Sequence, residues 1–143
     1  MLAILKRITR RTGKKEGGQS LVEFALVLPI FLLILFAIVD FGMAFHAWIT
    51  VTNSAREGAR VGAVRASAAD IEQRVRDTTG TLDQDDLLVT VTNAEGDPGQ
   101  SVVVDVSYDY SLISPLAGIV NMVSGGTISG SLTLSSTADM RLE

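Results

Sequence analysis

A continuous apolar run near the amino terminus limits what this chain can fold into more than any other feature. No polar side chain occurs from Phe24 to Val39, and the run extends back to Leu21 if Glu23 is set aside. In a helix, about 20 residues at about 1.5 Å each match the roughly 30 Å hydrocarbon core of a bilayer. A buried helix in a soluble protein of this size would keep a polar face, and this run has none. The sequence therefore predicts one transmembrane helix over residues 19–40.

The charges on the two sides of this span differ strongly. Residues 1–18 carry a net charge of +5 and residues 19–143 a net charge of −9. A basic flank beside a span stays in the cytoplasm. We therefore interpret residues 1–18 as a cytoplasmic leader, and everything beyond Asp40 as extracytoplasmic. Beside a span, a topology signal explains the basic cluster better than nucleic-acid binding. The topology residues are Lys6, Arg7, Arg10, Arg11, Lys14 and Lys15.

The helical pattern continues beyond the predicted span, over residues 41–67. Small residues recur there at steps of four and form a smooth face that another element can approach closely. Polar side chains between them are expected to face water in part. The small residues are Ala55, Gly58, Ala59, Gly62, Ala63 and Ala66, and the polar ones are Arg56, Glu57, Arg60 and Arg65.

Residues 68–143 are expected to form a small α+β region. "ADIEQRVRDTTG" predicts a second helix with Ile71 and Val75 on one face and Gly80 as its stop. "DLLVTVTN", "SVVVDVSYDY" and "TISGSLTLSSTADMRL" alternate as strands, while "SPLAGIVNMVSGG" is irregular or briefly helical. A three-stranded sheet with one apolar face needs a cover, which the long helix can supply. The chain contains no cysteine, so packing alone must stabilise this region.

Glu23 is the residue that an ordinary membrane anchor does not explain. A charge inside the boundary of the span costs up to ~3 kcal/mol, and no lysine or arginine after Gly18 lies within helical reach. A cut after Gly18 would create a cation at the amino group of Gln19, with Glu23 as the fifth residue. A secretory signal peptide is disfavoured because the run is too long and lacks a nearby small-x-small cleavage site. An uncleaved single-pass anchor presenting a small binding domain remains the alternative.

Around these residues the sequence resembles a known family. Gly18, Gln19, Glu23 and Phe24 before a hydrophobic run resemble a type IV prepilin peptidase site. "LVEFALVLP", "VDFG" and "AREGAR", within residues 17–66, resemble the TadE-like minor pilins, or pseudopilins, of the tight-adherence (Flp) pilus system. The resemblance implies a pilin-like fold, cleavage by a prepilin peptidase in the bacterial inner membrane, and partnership with other pilin subunits and the assembly machinery. It implies a location in that membrane or in the pilus.

The remaining polar residues support weaker expectations. Asp40 falls where the helix should leave the bilayer, so solvation at the interface is expected. His46 and Trp48 are expected at the outer headgroup level. The acids of residues 83–86 lack the pattern of a calcium loop and are interpreted as a solvated turn. With one histidine and no cysteine, the sequence offers no convincing catalytic or metal-binding set, so we expect neither an enzyme nor a cofactor.

Overall fold

The computed structural model describes residues 16–126 and 130–143. The chain divides into two compact units, Met1–Ile34 and Leu35–Glu143, and a helix α1, Glu16–Gly62, contributes to both. All six basic residues assigned to topology lie outside the described residues. Helix α1 begins three residues before the predicted start and includes Gly17 and Gly18. Glycine weakens a helix by about 1 kcal/mol relative to alanine but keeps its backbone hydrogen bond, so the long helix extends through both residues.

In the first unit, the described residues are the amino-terminal part of α1. Their apolar side chains have no protein cover: Leu21 is 69% exposed, Phe24 61% and Phe31 56%. Among the residues that the structure describes, one helix is long and apolar enough to cross a membrane, and its most apolar window has a mean hydropathy of 2.9 with 0% of it buried. This surface has the character of a single membrane span.

In the second unit, α1 ends at Gly62 and not near Ser67. A turn follows, in which the Arg65 amide donates to the Gly62 carbonyl at 2.8 Å and Arg65 has a φ of 62°. Ser67 is the cap of the next helix, since its hydroxyl oxygen accepts from the Asp70 amide at 3.2 Å. The predicted end was wrong because a serine three residues before an aspartate starts a new helix better than it continues an old one.

Helix α2, Ala68–Thr78, buries Ile71 and Val75 as predicted. It ends at Thr78, with Thr79 as its C-cap residue, so Gly80 directly follows the cap, where a glycine that stops a helix is expected. The Thr79 amide and hydroxyl both donate to the Val75 carbonyl, at 3.0 and 2.9 Å.

The sheet consists of three antiparallel strands in the order β1-β2-β3. They are β1, Leu87–Thr92; β2, Ser101–Ser111; and β3, Ser131–Arg141. A short helix α3, Leu116–Val123, lies between β2 and β3 in sequence. The central strand pairs Val106 with Val89 on one side and with Ser136 on the other. Three alternating strands and a briefly helical connection were predicted, and these predictions are confirmed.

The core lies between the smooth face of α1, helix α2 and one face of β2. Gly58 is the point of closest approach, since a Cβ atom there would lie 2.6 Å from Val75 Cγ2 and 3.2 Å from Val104 Cγ1. The small residues therefore act as predicted, and the α+β fold, with a long amino-terminal helix packed on the sheet, is confirmed. The buried residues include Ala47, Val51, Ala55 and Ala59 from α1 and Val102, Val104, Val106, Tyr108 and Tyr110 from β2.

Candidate processing and assembly site

Gly18 and Gln19 lie on the first turns of α1 and are exposed. A Cβ atom added to Gly18 would meet no other atom within 4 Å, apart from its neighbours and the helix backbone. Among the residues that the structure describes, no contact therefore requires a glycine at this position.

Glu23 lies one helical turn beyond Gln19 on the same exposed face. The Gln19 side-chain amide donates to Glu23 Oε1 at 3.1 Å. This contact between residues four apart is a common helix pair. Sequence reasoning missed it, although the Gln-x-x-x-Glu spacing was sufficient to find it. A neutral amide offsets only part of the cost of a carboxylate near hydrocarbon, and no lysine or arginine occurs from residue 16 to residue 55.

Phe24 belongs to an apolar surface next to this carboxylate. With Val27, Leu28 and Phe31 it lines a shallow depression on one face of the helix. The spacing of three, four and seven residues from Phe24 is that of a helix-packing stripe. The arrangement therefore places one carboxylate at the end of an uncovered apolar stripe, on which a second helix can pack.

In the second unit, Asp40 is buried and tightly bound, and the prediction that it is solvated at the interface was wrong. The residue is 1% exposed. Its Oδ1 accepts from the amides of Ile113 and Ser114, each at 3.2 Å, and its Oδ2 accepts from the Ser114 hydroxyl. These partners are more than seventy residues away in sequence, so no local pattern could indicate them. Asp40 holds the chain that leaves β2 against α1.

Tyr110 completes this buried cluster. Its hydroxyl donates to the backbone carbonyl of Asp40 at 3.3 Å. Burial raises the pKa of the Tyr110 phenol, and the negative charge of Asp40 raises it further. The cluster therefore favours a neutral phenol that donates to a backbone carbonyl, which is a structural arrangement.

Glu57, His46 and Trp48 lie wholly or partly at the surface. Glu57 accepts from Arg74 at 2.7 Å and from Arg60 at 3.0 Å, and the Arg74 bond, followed by that of Arg60, lowers the pKa of the Glu57 carboxyl. His46 is exposed, and Trp48, 47% exposed, contacts Phe45 edge-on at a centroid distance of 6.4 Å.

The predicted solvated turn is confirmed by three exposed acids. Among residues 16–126 and 130–143, no group of three or more His, Cys, Asp or Glu side chains could hold a metal ion. The acids are Asp83, Asp85 and Asp86.

Within residues 16–126 and 130–143, the chain has one candidate membrane span, on a long apolar helix that continues into a small α+β unit. Residues 18–60 match the family model described as TadE-like protein. This part of the chain is thus TadE-like, and the resemblance drawn from "LVEFALVLP", "VDFG" and "AREGAR" is confirmed. Comparisons with curated proteins and with solved structures gave no match.

Proposed function

We propose that the chain is a pseudopilin that takes part in assembling a tight-adherence pilus after a prepilin peptidase cuts between Gly18 and Gln19. The observation that carries this proposal is the exposed Glu23 within a TadE-like segment, one turn from the new amino terminus. The Gln19 side chain of the same chain donates a hydrogen bond to Glu23 but carries no positive charge. The free amino group created by cleavage would supply a positive charge.

The assembly contact that we propose joins Glu23 of one subunit to the Gln19 amine of a neighbour. At about 4 Å and an effective dielectric constant near 20, the attraction is ~4 kcal/mol before desolvation. Phe24 lies on the adjacent apolar stripe, along which the neighbouring helix would pack. The charge pair then fixes the axial register of the two helices, which apolar packing alone leaves free to slide.

The topology belongs to the same proposal. Residues 1–18 form a cytoplasmic leader, residues 19–40 span the inner membrane, residues 41–62 extend the helix outside, and residues 63–143 complete the extracytoplasmic α+β region. The apolar exposed surface of α1 supports the span, and the charge difference between residues 1–18 and 19–143 supports the orientation. We propose no catalytic role for the chain.

Processing is tested by intact mass and amino-terminal sequencing of the membrane-extracted protein. We expect a mature chain that starts at Gln19 in cells with an active prepilin peptidase. Gly18→Val should block the cut, since its side chain would crowd the scissile bond, while the control Ala25→Val in the same helix should be cut normally. A mature protein that retains residues 1–18 would contradict the proposal and favour the uncleaved anchor.

Orientation is tested separately with a reporter enzyme that is active only after export. Fusions after Gly80 and after Glu143 should both be active, and a fusion within the leader should be inactive. Stable, full-length fusions that show the opposite pattern would overturn the topology.

A further inference from the structure

An open apolar groove of about 590 Å³ lies within the second unit, lined by side chains of α1 and of the β2–β3 part of the chain. All of its apolar lining residues belong to this one unit. Helix α1 contributes Ala37, Phe41, Ala44, Phe45 and Trp48, and the β2–β3 part contributes Leu112, Leu116, Leu132 and Leu134.

Three aromatic rings of α1 border this groove and are widely exposed. Phe41 is 64% exposed, Phe45 59% and Trp48 47%. Their spacing of four and then three residues places them on one stripe of the helix, and Phe45 contacts Trp48 edge-on. We call these three rings the aromatic ridge. Single exposed apolar residues are ordinary, but a contiguous group beside an apolar groove marks a contact surface.

The occupant of the groove is uncharged where it makes contact. Among the lining residues in the part of the chain that the structure describes, Asp40 alone carries a charge. It is 1% exposed, and its carboxylate already accepts three hydrogen bonds. A charged group entering the groove would lose its water and gain no partner, which is costly. The groove therefore fits an apolar surface.

The two exposed flanks of α1 at this level differ, and the difference favours a protein occupant over lipid. At about 100° per residue, Met43, His46 and Thr50 lie on the other side of the helix from the aromatic ridge. His46 is exposed, and its carbonyl accepts from the Thr50 hydroxyl at 2.9 Å. Two flanks at one level of a helix meet the same lipid or water unless protein covers one of them. Aromatic rings on the groove flank alone therefore indicate a protein contact there.

The groove and the aromatic ridge together suit a second copy of the same surface. A two-fold axis brings one patch against itself, so the patch must be complementary to itself. Here an apolar projection and an apolar groove lie side by side, and neither presents an exposed charge. A two-fold axis parallel to α1 keeps the two helices parallel, as two single-pass copies of the same orientation require. It also keeps Phe45 of each copy level with Phe45 of the other.

We propose that the groove is a homodimer contact, in which the aromatic ridge of each copy packs into the groove of the other. The proposal rests on the span and the orientation given under the proposed function, because both copies must leave the membrane on the same side. It uses none of the residues of the proposed contact between Glu23 and the Gln19 amine. Each of the two contacts can therefore fail in experiment without the other.

The absence of cysteine from the natural chain makes disulfide crosslinking a direct test. Phe45→Cys on the ridge and His46→Cys on the other flank are each introduced into the full-length chain, reconstituted in phosphatidylcholine vesicles and oxidised with copper phenanthroline. We expect a disulfide-linked dimer to form several-fold faster at 45 than at 46. Equal rates, or no dimer at either position, would overturn the proposal.

A second measurement keeps the aromatic ridge intact, since Phe45→Cys itself removes a ring. Copies labelled at Thr90→Cys on β1 with a donor or an acceptor fluorophore should show energy transfer in the same vesicles. Adding Phe41→Ser should reduce this transfer several-fold, whereas the matched change His46→Ser should leave it unchanged. Absent transfer between chains with intact ridges, or transfer that Phe41→Ser leaves unchanged, would contradict the homodimer.

The other possible occupants give different results. If a nitroxide-labelled lipid strongly quenches a fluorophore at Phe45→Cys and no dimer forms, lipid occupies the groove and the proposal is wrong. A fluorophore at Phe31→Cys that the same lipid does not quench would overturn the span, and the homodimer with it. Normal quenching at 31 without a dimer would overturn the homodimer and leave the span in place.

Discussion

Replacing Asp40 with alanine should loosen the attachment of the β2–α3 connection to α1. The substitution leaves three donors without an acceptor: the amides of Ile113 and Ser114 and the Ser114 hydroxyl. Hydrogen bonds to a charged group contribute about 1.5–3 kcal/mol each. Water can reach these half-buried donors, and the cost of burying the carboxylate disappears, so we expect a net loss of about 2–4 kcal/mol. At roughly 4 °C per kcal/mol, this lowers the Tm by about 8–16 °C.

The matched variant Asp40→Asn separates the hydrogen bonds from the charge. Its amide oxygen can still accept from both backbone amides, so we expect a loss of only about 1 kcal/mol, or roughly 4 °C. Thermal unfolding of the detergent-solubilised protein, followed by circular dichroism and by Trp48 fluorescence, measures both variants, with the exposed Asp105→Ala as the control. Equal melting of Asp40→Ala and the natural chain, or equal losses in the alanine and asparagine variants, would refute the reasoning.

Other predictions concern the core and the pH dependence of stability. Gly58→Ala should be less stable than Gly42→Ala by about 1–3 kcal/mol in chemical denaturation, because only the first places a methyl group against Val75; equal stability would mean that the close approach is absent. The Tyr110 pKa is raised above its ordinary 10.0, so stability should fall as the pH rises past that value. In Tyr110→Phe, stability should fall less steeply at alkaline pH. An unchanged fall in stability would exclude Tyr110 as its cause. The Glu57 pKa is lowered from 4.5, so the contribution of this carboxylate to stability should be lost as the pH falls through its lowered pKa in the folded protein. Glu57→Gln should reduce the loss of stability at acid pH, and an unchanged loss would contradict this prediction.

The fold was predictable from sequence wherever one periodic pattern decided it. Alternation in "SVVVDVSYDY" placed the central strand, and the small residues at steps of four placed the contact face of α1. Helix ends were less predictable, because competing side chains decide them: Ser67 starts α2 where continuation of α1 was expected.

The residues of the candidate site also differ in how far the sequence predicts them. The Gly18–Phe24 motif is local, so its residues could be named from sequence. The burial of Asp40 depends on Ile113 and Ser114, and a contact between such distant residues leaves no trace in the periodicity of either segment. Sequence position suggested that this aspartate would be solvated at a membrane boundary. Its hydrogen bonds show instead that a polar residue at the end of a span can serve as an internal anchor.

The role of Glu23 in assembly is tested most directly by complementing a deletion strain with Glu23→Ala and scoring surface pili. The account predicts nearly normal membrane level and cleavage after Gly18, but sharply reduced piliation and reduced crosslinking to other pilin subunits. Glu23→Gln should give an intermediate result, because the amide keeps the shape and one hydrogen bond but loses the charge. Protein abundance and mature mass, measured in the same cells, separate assembly from expression. Normal piliation by a well-expressed Glu23→Ala chain would contradict the account and favour a simple membrane anchor.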